Sequence, residues 1–192
     1  MKKKNRSLLM MILLVGVCLL GVGGFGSKAS AETSVEASPR HAIYRLYNPN
    51  SGEHLFTPSN YERATLVNFG WNDEGIGFYG QGYTTTIKVA YVYRVYNPNA
   101  GDHHYTAFQD EKEQLIKVGW HDDNISLVMP ATLGEPVYRL YNPNAKAGAH
   151  HFTLLKSERD HLIKVGWKDE GIGFNAYSTV PVSYTHLRAH ET

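Results

Sequence analysis

The sequence predicts an α+β domain built from three hairpin–helix–strand repeats, packed as one compact unit about a pseudo-threefold axis. Three observations predict it. The phrase "YRLYNPNSGEHLFT" from Tyr44 returns as "YRVYNPNAGDHHYT" from Tyr93 and as "YRLYNPNAKAGAHHFT" from Tyr138. Each copy carries a Glu five residues after its threonine and a Gly-Trp pair beginning thirteen residues after it. Copies start 49 and then 45 residues apart, and internal periods of this length mark repeat architectures. Units this small cannot each bury a core, so they must pack on one another. An open solenoid is the alternative arrangement, and a fourth copy beyond the chain would make closure four-fold.

Within a copy, Ile43–Tyr47 and Glu53–Thr57 read as strands around Asn48-Pro49-Asn50-Ser51-Gly52. Proline presets the first turn position and Gly52 takes positive φ, so this is a hairpin. A helix is expected from about Ser59, where Ser59 and Glu62 form a capping box found in the first copy alone. Leu66, Leu115 and Leu162 occupy one inward helical position. Gly70, Gly119 and Gly166 then fall at the left-handed residue that ends the helix. Trp71, Trp120 and Trp167 fall where a Schellman motif folds back on that leucine, so these glycines and tryptophans are assigned structural roles. Asp73-Glu74-Gly75, Asp122-Asp123-Asn124 and Asp169-Glu170-Gly171 read as turns, and the acids of Asp73-Glu74 and Asp169-Glu170 as solvated loop charges rather than a glycosidase pair. The last strand is short, Ile76 to Gly80 or Ile172 to Ala176.

The repeats occupy about 43–90, 91–136 and 137–181 of a domain spanning 41–181, and 32–40 reads as a linker. Residues 1–31 have the form of a signal peptide: Lys2, Lys3, Lys4 and Arg6, an apolar run from Leu8 to about Leu20, and Ala29-Ser30-Ala31 before the expected cut. Cys18, the single cysteine, lies inside that segment, so the mature chain is expected to form no disulfide. Residues 182–192, "VSYTHLRAHET", match one reading frame of a transposase sequencing adapter and are read as an artefact. The natural C-terminus, a further repeat, a wall anchor or a catalytic domain would then lie beyond residue 181. Setting aside the five Lys and Arg of the leader and Arg188 and Glu191 of the tail leaves 13 basic and 17 acidic groups, a net charge of −4. Nucleic acid and anionic lipid lose their electrostatic attraction at that charge.

The pattern Tyr-Arg-apolar-Tyr-Asn-Pro-Asn, His, aromatic-Thr, Glu, Gly-Trp resembles the repeats of an uncharacterised domain family of secreted bacterial and fungal proteins. That family is often carried beside hydrolase domains or on cell-surface proteins. The resemblance covers residues 43–180. It implies an extracellular repeat module and carries no activity. A secreted or cell-surface protein without disulfides suits a Gram-positive bacterium.

Strand alternation places Phe56, Tyr105 and Phe152 inward. His54, His103 and His150 share that face, while Leu55, His104 and His151 are expected to point outward. Glu62, Glu111 and Glu158 share the helical face of the inward leucine. A His–Glu or His–Tyr bond tying hairpin to helix is the structural reading of these groups, and a ligand contact in a per-repeat pocket is the alternative. A three-histidine metal site is weighed and set aside, because no metal-ligand spacing supports it. Tyr47, Tyr96 and Tyr141, beside the Asn-Pro-Asn turns, are the preferred ligand-contacting tyrosines. No G-x-S-x-G or P-loop is found, and no cofactor is expected. The function expected is a non-catalytic binding module for glycan or cell-wall polymer with equivalent weak sites. A structural or protein-adhesion role is the alternative, and a hydrolase using the His/Glu sets is third.

Overall fold

A computed structural model of the chain describes residues 39–82 and 87–178. The expected leader, the linker apart from Pro39 and Arg40, and the adapter-like tail lie outside the described residues. Each repeat runs strand, strand, helix, strand. The first comprises β1 (Arg40–Tyr47), β2 (His54–Thr57), α1 (Asn60–Asn68) and β3 (Asn72–Gln81). The second comprises β4 (Val89–Asn97), β5 (Asp102–Thr106), α2 (Gln109–Lys117) and β6 (His121–Pro130). The third comprises β7 (Glu135–Tyr141), β8 (His150–Thr153), α3 (Lys156–Lys164) and β9 (Lys168–Ala176). Each repeat forms its own antiparallel sheet with its first strand in the centre, in the orders β2-β1-β3, β5-β4-β6 and β8-β7-β9.

This corrects the α+β expectation. Of the described residues 49 % are strand and 20 % helix, so the fold is mostly β, three small three-stranded sheets. The physical reason lies in the segment Asp73-Glu74-Gly75. It is not a turn before a short strand but a bulge inside a long one. Tyr44 pairs with Ile76 and Leu46 with Asp73, so β3 carries an extra residue there. Gly75 takes φ +81, Asn124 φ +56 and Gly171 φ +86, and the Asp73 carboxylate accepts the Gly75 N–H at 2.9 Å. The strand therefore starts four residues before Ile76.

The Asn-Pro-Asn turns close the hairpins. The Asn48 side chain accepts the Asn50 N–H at 2.9 Å, as Asn97 accepts that of Asn99 and Asn142 that of Asn144, both at 3.0 Å. Helix starts are also side-chain made. Ser59 accepts the Glu62 N–H at 3.2 Å in the first copy, whereas Phe108 and Leu155 at the same position offer no cap. At the helix ends, Trp71 N–H donates to Leu66 O at 3.1 Å and Gly70 N–H to Val67 O at 3.0 Å. The same two bonds recur at Trp120 and Gly119 and at Trp167 and Gly166, and these are the two bonds of the Schellman motif. The helices contribute no fully buried residue; Leu66, Leu115 and Leu162 are half-buried.

The core is where the three sheets meet. Phe56, Tyr105 and Phe152 form a closed triangle with ring centroids 5.7, 5.9 and 6.3 Å apart. Phe78, Leu127 and Phe174 surround it, with Ile43, Val92 and Val137 behind. Each such side chain gains about 1.5–3 kcal/mol on burial. The opposite sheet faces are covered as well. Arg63 lies over Tyr44, Lys112 over Tyr93 and Arg159 over Tyr138, each from its helix onto the central strand. Leu55, His104 and His151 therefore do not point outward but are 2–3 % exposed.

Tyr105 does more than fill space. Its hydroxyl donates to Phe56 O and accepts the Phe56 N–H, both at 2.8 Å, so it closes the outer edge of β2 from the neighbouring repeat. Tyr105→Phe keeps the ring triangle but strands two buried backbone groups, and is expected to cost about 1–3 kcal/mol. Phe56→Ala, which empties the triangle, is expected to cost about 3–5 kcal/mol. Urea unfolding of the two variants measures both, and the ordering should hold.

Candidate functional site

The residues that recur with chemistry meet at the seams between repeats. Arg45, Arg94 and Arg139 stand at the middle of each central strand. Each holds an acid of its own repeat through Nε: Arg45 with Glu74 at 2.7 Å, Arg94 with Asp123 at 2.6 Å and Arg139 with Glu170 at 2.7 Å. The other end of each guanidinium crosses to the helix of the preceding repeat. Arg94 grips Glu62 with two bonds of 3.0 and 2.8 Å, and Arg139 grips Glu111 with two of 3.1 and 2.9 Å. Arg45 completes the circle to Glu158, through Nη1 alone, at 3.2 and 3.3 Å. Bidentate arginine–carboxylate geometry is the strong form of this interaction.

The helix glutamates are fixed from their own repeat by threonine. Thr106 donates its hydroxyl to Glu111, and the Thr57 and Thr153 hydroxyls bond Glu62 and Glu158. The same oxygens accept the N–H two residues on, from Ser59, Phe108 and Leu155, at 2.9–3.0 Å. This explains the constant spacing of threonine and glutamate. Burial opposes ionisation of Glu158, but His151, Thr153 and Arg45 outweigh it and hold its pKa at about 2. Glu111 is also held well below the usual range, first by His104 and then by Arg139 and Thr106.

The histidines divide between the seams. His54, His103 and His150 are half-buried, and each sits beside the acid already held by its arginine. Their Nε2 atoms lie 3.5 Å from Glu74, 3.4 Å from Asp123 and 3.2 Å from Glu170. Their pairing acid is thus the one in the bulge, not the helix glutamate. His103 also meets Glu53 through Nδ1 at 2.7 Å. Across two seams the histidines pair: His54 with His151 at 4.5 Å and His150 with His104 at 4.4 Å between centroids. At the third seam Leu55 stands where His104 and His151 stand elsewhere. Both ring nitrogens of His104 and His151 lack a hydrogen bond among the described residues. Their Nε2 atoms are within 3.3 Å of Glu111 and Glu158 but off hydrogen-bond alignment. Burial, then the facing histidine and arginine, lowers the pKa of His54 and of His150 to about 3, against smaller opposition from Glu158 and Glu111.

Tyr47, Tyr96 and Tyr141 are half-buried and lie tilted against His54, His103 and His150 with centroids 4.9–5.2 Å apart. The triangle of Phe56, Tyr105 and Phe152 occupies the centre, so the three histidines do not converge there. Among the described residues, no group of His, Asp and Glu side chains has metal-holding geometry. Sequence reading missed the arginines and the bulge acids. Their recurrence at one position in every copy was the available signal.

The chain belongs to a family described as a domain of unknown function, DUF5648, which it matches over residues 42–177. No curated protein and no solved structure matches it.

Protonation of this cluster sets acid stability. His54 and His150 have folded pKa values near 3 against about 6.5 unfolded, so the unfolded chain takes up more protons as pH falls between them. Their contribution is full above about pH 6.5 and lost toward pH 3; that of Glu158 is full above about pH 4.3 and lost toward pH 2. The urea midpoint is expected to fall continuously below about pH 6.5. The double variant His54→Phe/His150→Phe should flatten the limb above about pH 4.5 and make the fall shallower from there to about pH 3, leaving the loss that comes from Glu158.

Proposed function

We propose that this member of the family is a secreted, non-catalytic module that binds glycan or cell-wall polymer through equivalent weak sites on its repeats. The observation that carries the reading is the threefold recurrence of one surface element. A tyrosine ring is set at a fixed tilt by a histidine beside an Asn-Pro-Asn turn that its own asparagine locks. An aromatic face offers apolar contact to a sugar ring, and turn amides offer hydrogen bonds to hydroxyls. Weak sites displayed in several copies gain strength on a repetitive polymer without any single strong contact. The charged side chains of the seams are engaged with one another, which suits a supporting frame.

One observation favours a protein partner instead. Phe69, Val118 and Val165, at the same helix-end position in each repeat, are 77, 71 and 58 % exposed. Exposed apolar side chains repeated on one element suit adhesion to protein.

Sedimentation of the chain with purified cell wall and with insoluble polysaccharides separates the two. Retention is expected, reduced at least about tenfold by the triple variant Tyr47→Ala/Tyr96→Ala/Tyr141→Ala with its folding intact. Absence of retention on every polysaccharide, or retention removed by Phe69→Ser/Val118→Ser/Val165→Ser instead, would overturn the proposal.

A further inference from the structure

The three seams are not alike, and the differences gather at the one between the third and first repeats. The turn from Asn142 to Ala149 is two residues longer than its counterpart from Asn97 to Asp102. Its base is clamped. Gly148 is buried at φ +62, and a Cβ there would come within 2.7 Å of Glu53 Cα and 2.8 Å of Gly52 O. Its N–H donates to Asp102 Oδ2 at 3.0 Å. Only a glycine allows the loop to press this closely on the first repeat. The extra length then bows outward, leaving Lys146 exposed, and encloses a cleft of 470 Å³. Its lining includes Asn50, Ser51, Asn142, Lys146, Gly148 and Trp167.

A second cleft, of 260 Å³, opens on the same seam beside Arg45 and Glu74. Here the ion-pair ring is also slackest. Arg45 is 21 % exposed and reaches Glu158 through one nitrogen, whereas Arg94 is 4 % exposed and uses two on Glu62.

The chemistry of the larger cleft is specific. Its lining brings together the Trp167 indole, the Asn50 and Asn142 amides, the Ser51 hydroxyl and the Lys146 ammonium, with no carboxylate. Its volume falls in the range of small-ligand sites. We infer that this cleft is a single dominant site for an acidic oligosaccharide: the ring lies against Trp167, its hydroxyls bond Asn50, Ser51 and Asn142, and Lys146 takes the carboxylate. The inference rests on the carbohydrate reading above and adds one dominant site to its equivalent weak ones.

Titration of the full chain with trigalacturonate and with chitotriose, read by tryptophan fluorescence and calorimetry, tests it. Trigalacturonate should bind more tightly than chitotriose. Lys146→Ala should weaken trigalacturonate about two- to fivefold and leave chitotriose unchanged, as expected for one exposed ion pair. Ala145→Phe, which fills the cleft from the loop, should abolish both with the circular dichroism spectrum unchanged. Asn50→Ala, at an exposed turn tip, should weaken both and guards against misfolding of the loop variant. Undiminished binding in both Asn50→Ala and Ala145→Phe, with loss in the Tyr47/Tyr96/Tyr141 variant, would overturn the inference and leave the carbohydrate reading standing. Tighter binding of chitotriose would overturn the acidic ligand, and binding of neither sugar would overturn the dominant site, while retention on cell wall still decides the carbohydrate reading.

Discussion

The arginine that leaves each central strand and reaches the helix of the preceding repeat is the constraint on which the rest of the molecule depends. One small three-stranded sheet with a nine-residue helix cannot stand alone: its helix buries no residue completely, and its sheet is open on the face that meets the other two. Arg45, Arg94 and Arg139 link three such units in a circle, third to first, first to second and second to third. The circle places Phe56, Tyr105 and Phe152 in contact. Hydrophobic burial supplies most of the stabilisation, and the ion pairs determine which surfaces face one another. A guanidinium this buried would be costly without partners; each has two carboxylates. Threonine hydroxyls fix the glutamates, and bulge acids fix the arginines, so the crossing contacts are held from both sides.

Much of this was legible in the sequence because turns and caps are local. Asn-Pro-Asn and the Gly-Trp pairs act through the backbone within a few residues and show the hydrogen bonds their spacing implies. Ser59 caps its helix, but the expected box is half made, because the Ser59 N–H goes to Thr57 and the Glu62 carboxylate to Arg94. What failed were judgements that need to know what lies across the sheet. Asp73-Glu74-Gly75 has the composition of a turn, but a bulge uses the same positive-φ residue and lets the strand continue, so the α+β assignment gave way to a mostly β fold. Alternation identified two faces on β2, β5 and β8 but not that both are covered, which left His104 and His151 assigned to solvent. Glu74 and Glu170 read as solvated charges because their arginines, Arg45 and Arg139, are 29 and 31 residues away in sequence.

The repeats share a frame and differ where ligand chemistry could enter. Leu55 in place of a histidine leaves one seam without a histidine pair. Lys146 and Ala147 lengthen one turn and open a cleft at another. Such departures cost little stability, because a loop tip contributes little to the core. A symmetric scaffold can therefore acquire an asymmetric site by changing one turn.

The central claim is that the crossing arginines couple the repeats energetically. A double-mutant cycle on Arg94 and Glu62, with Arg94→Met, Glu62→Gln and the pair, measured by urea unfolding, tests this most directly. The account predicts a coupling energy of about 1–3 kcal/mol and a single cooperative transition in the parent chain. Additive effects within about 0.5 kcal/mol would contradict it, leaving the aromatic core and the remaining cross-repeat hydrogen bonds, such as Tyr105 to Phe56, to hold the repeats together.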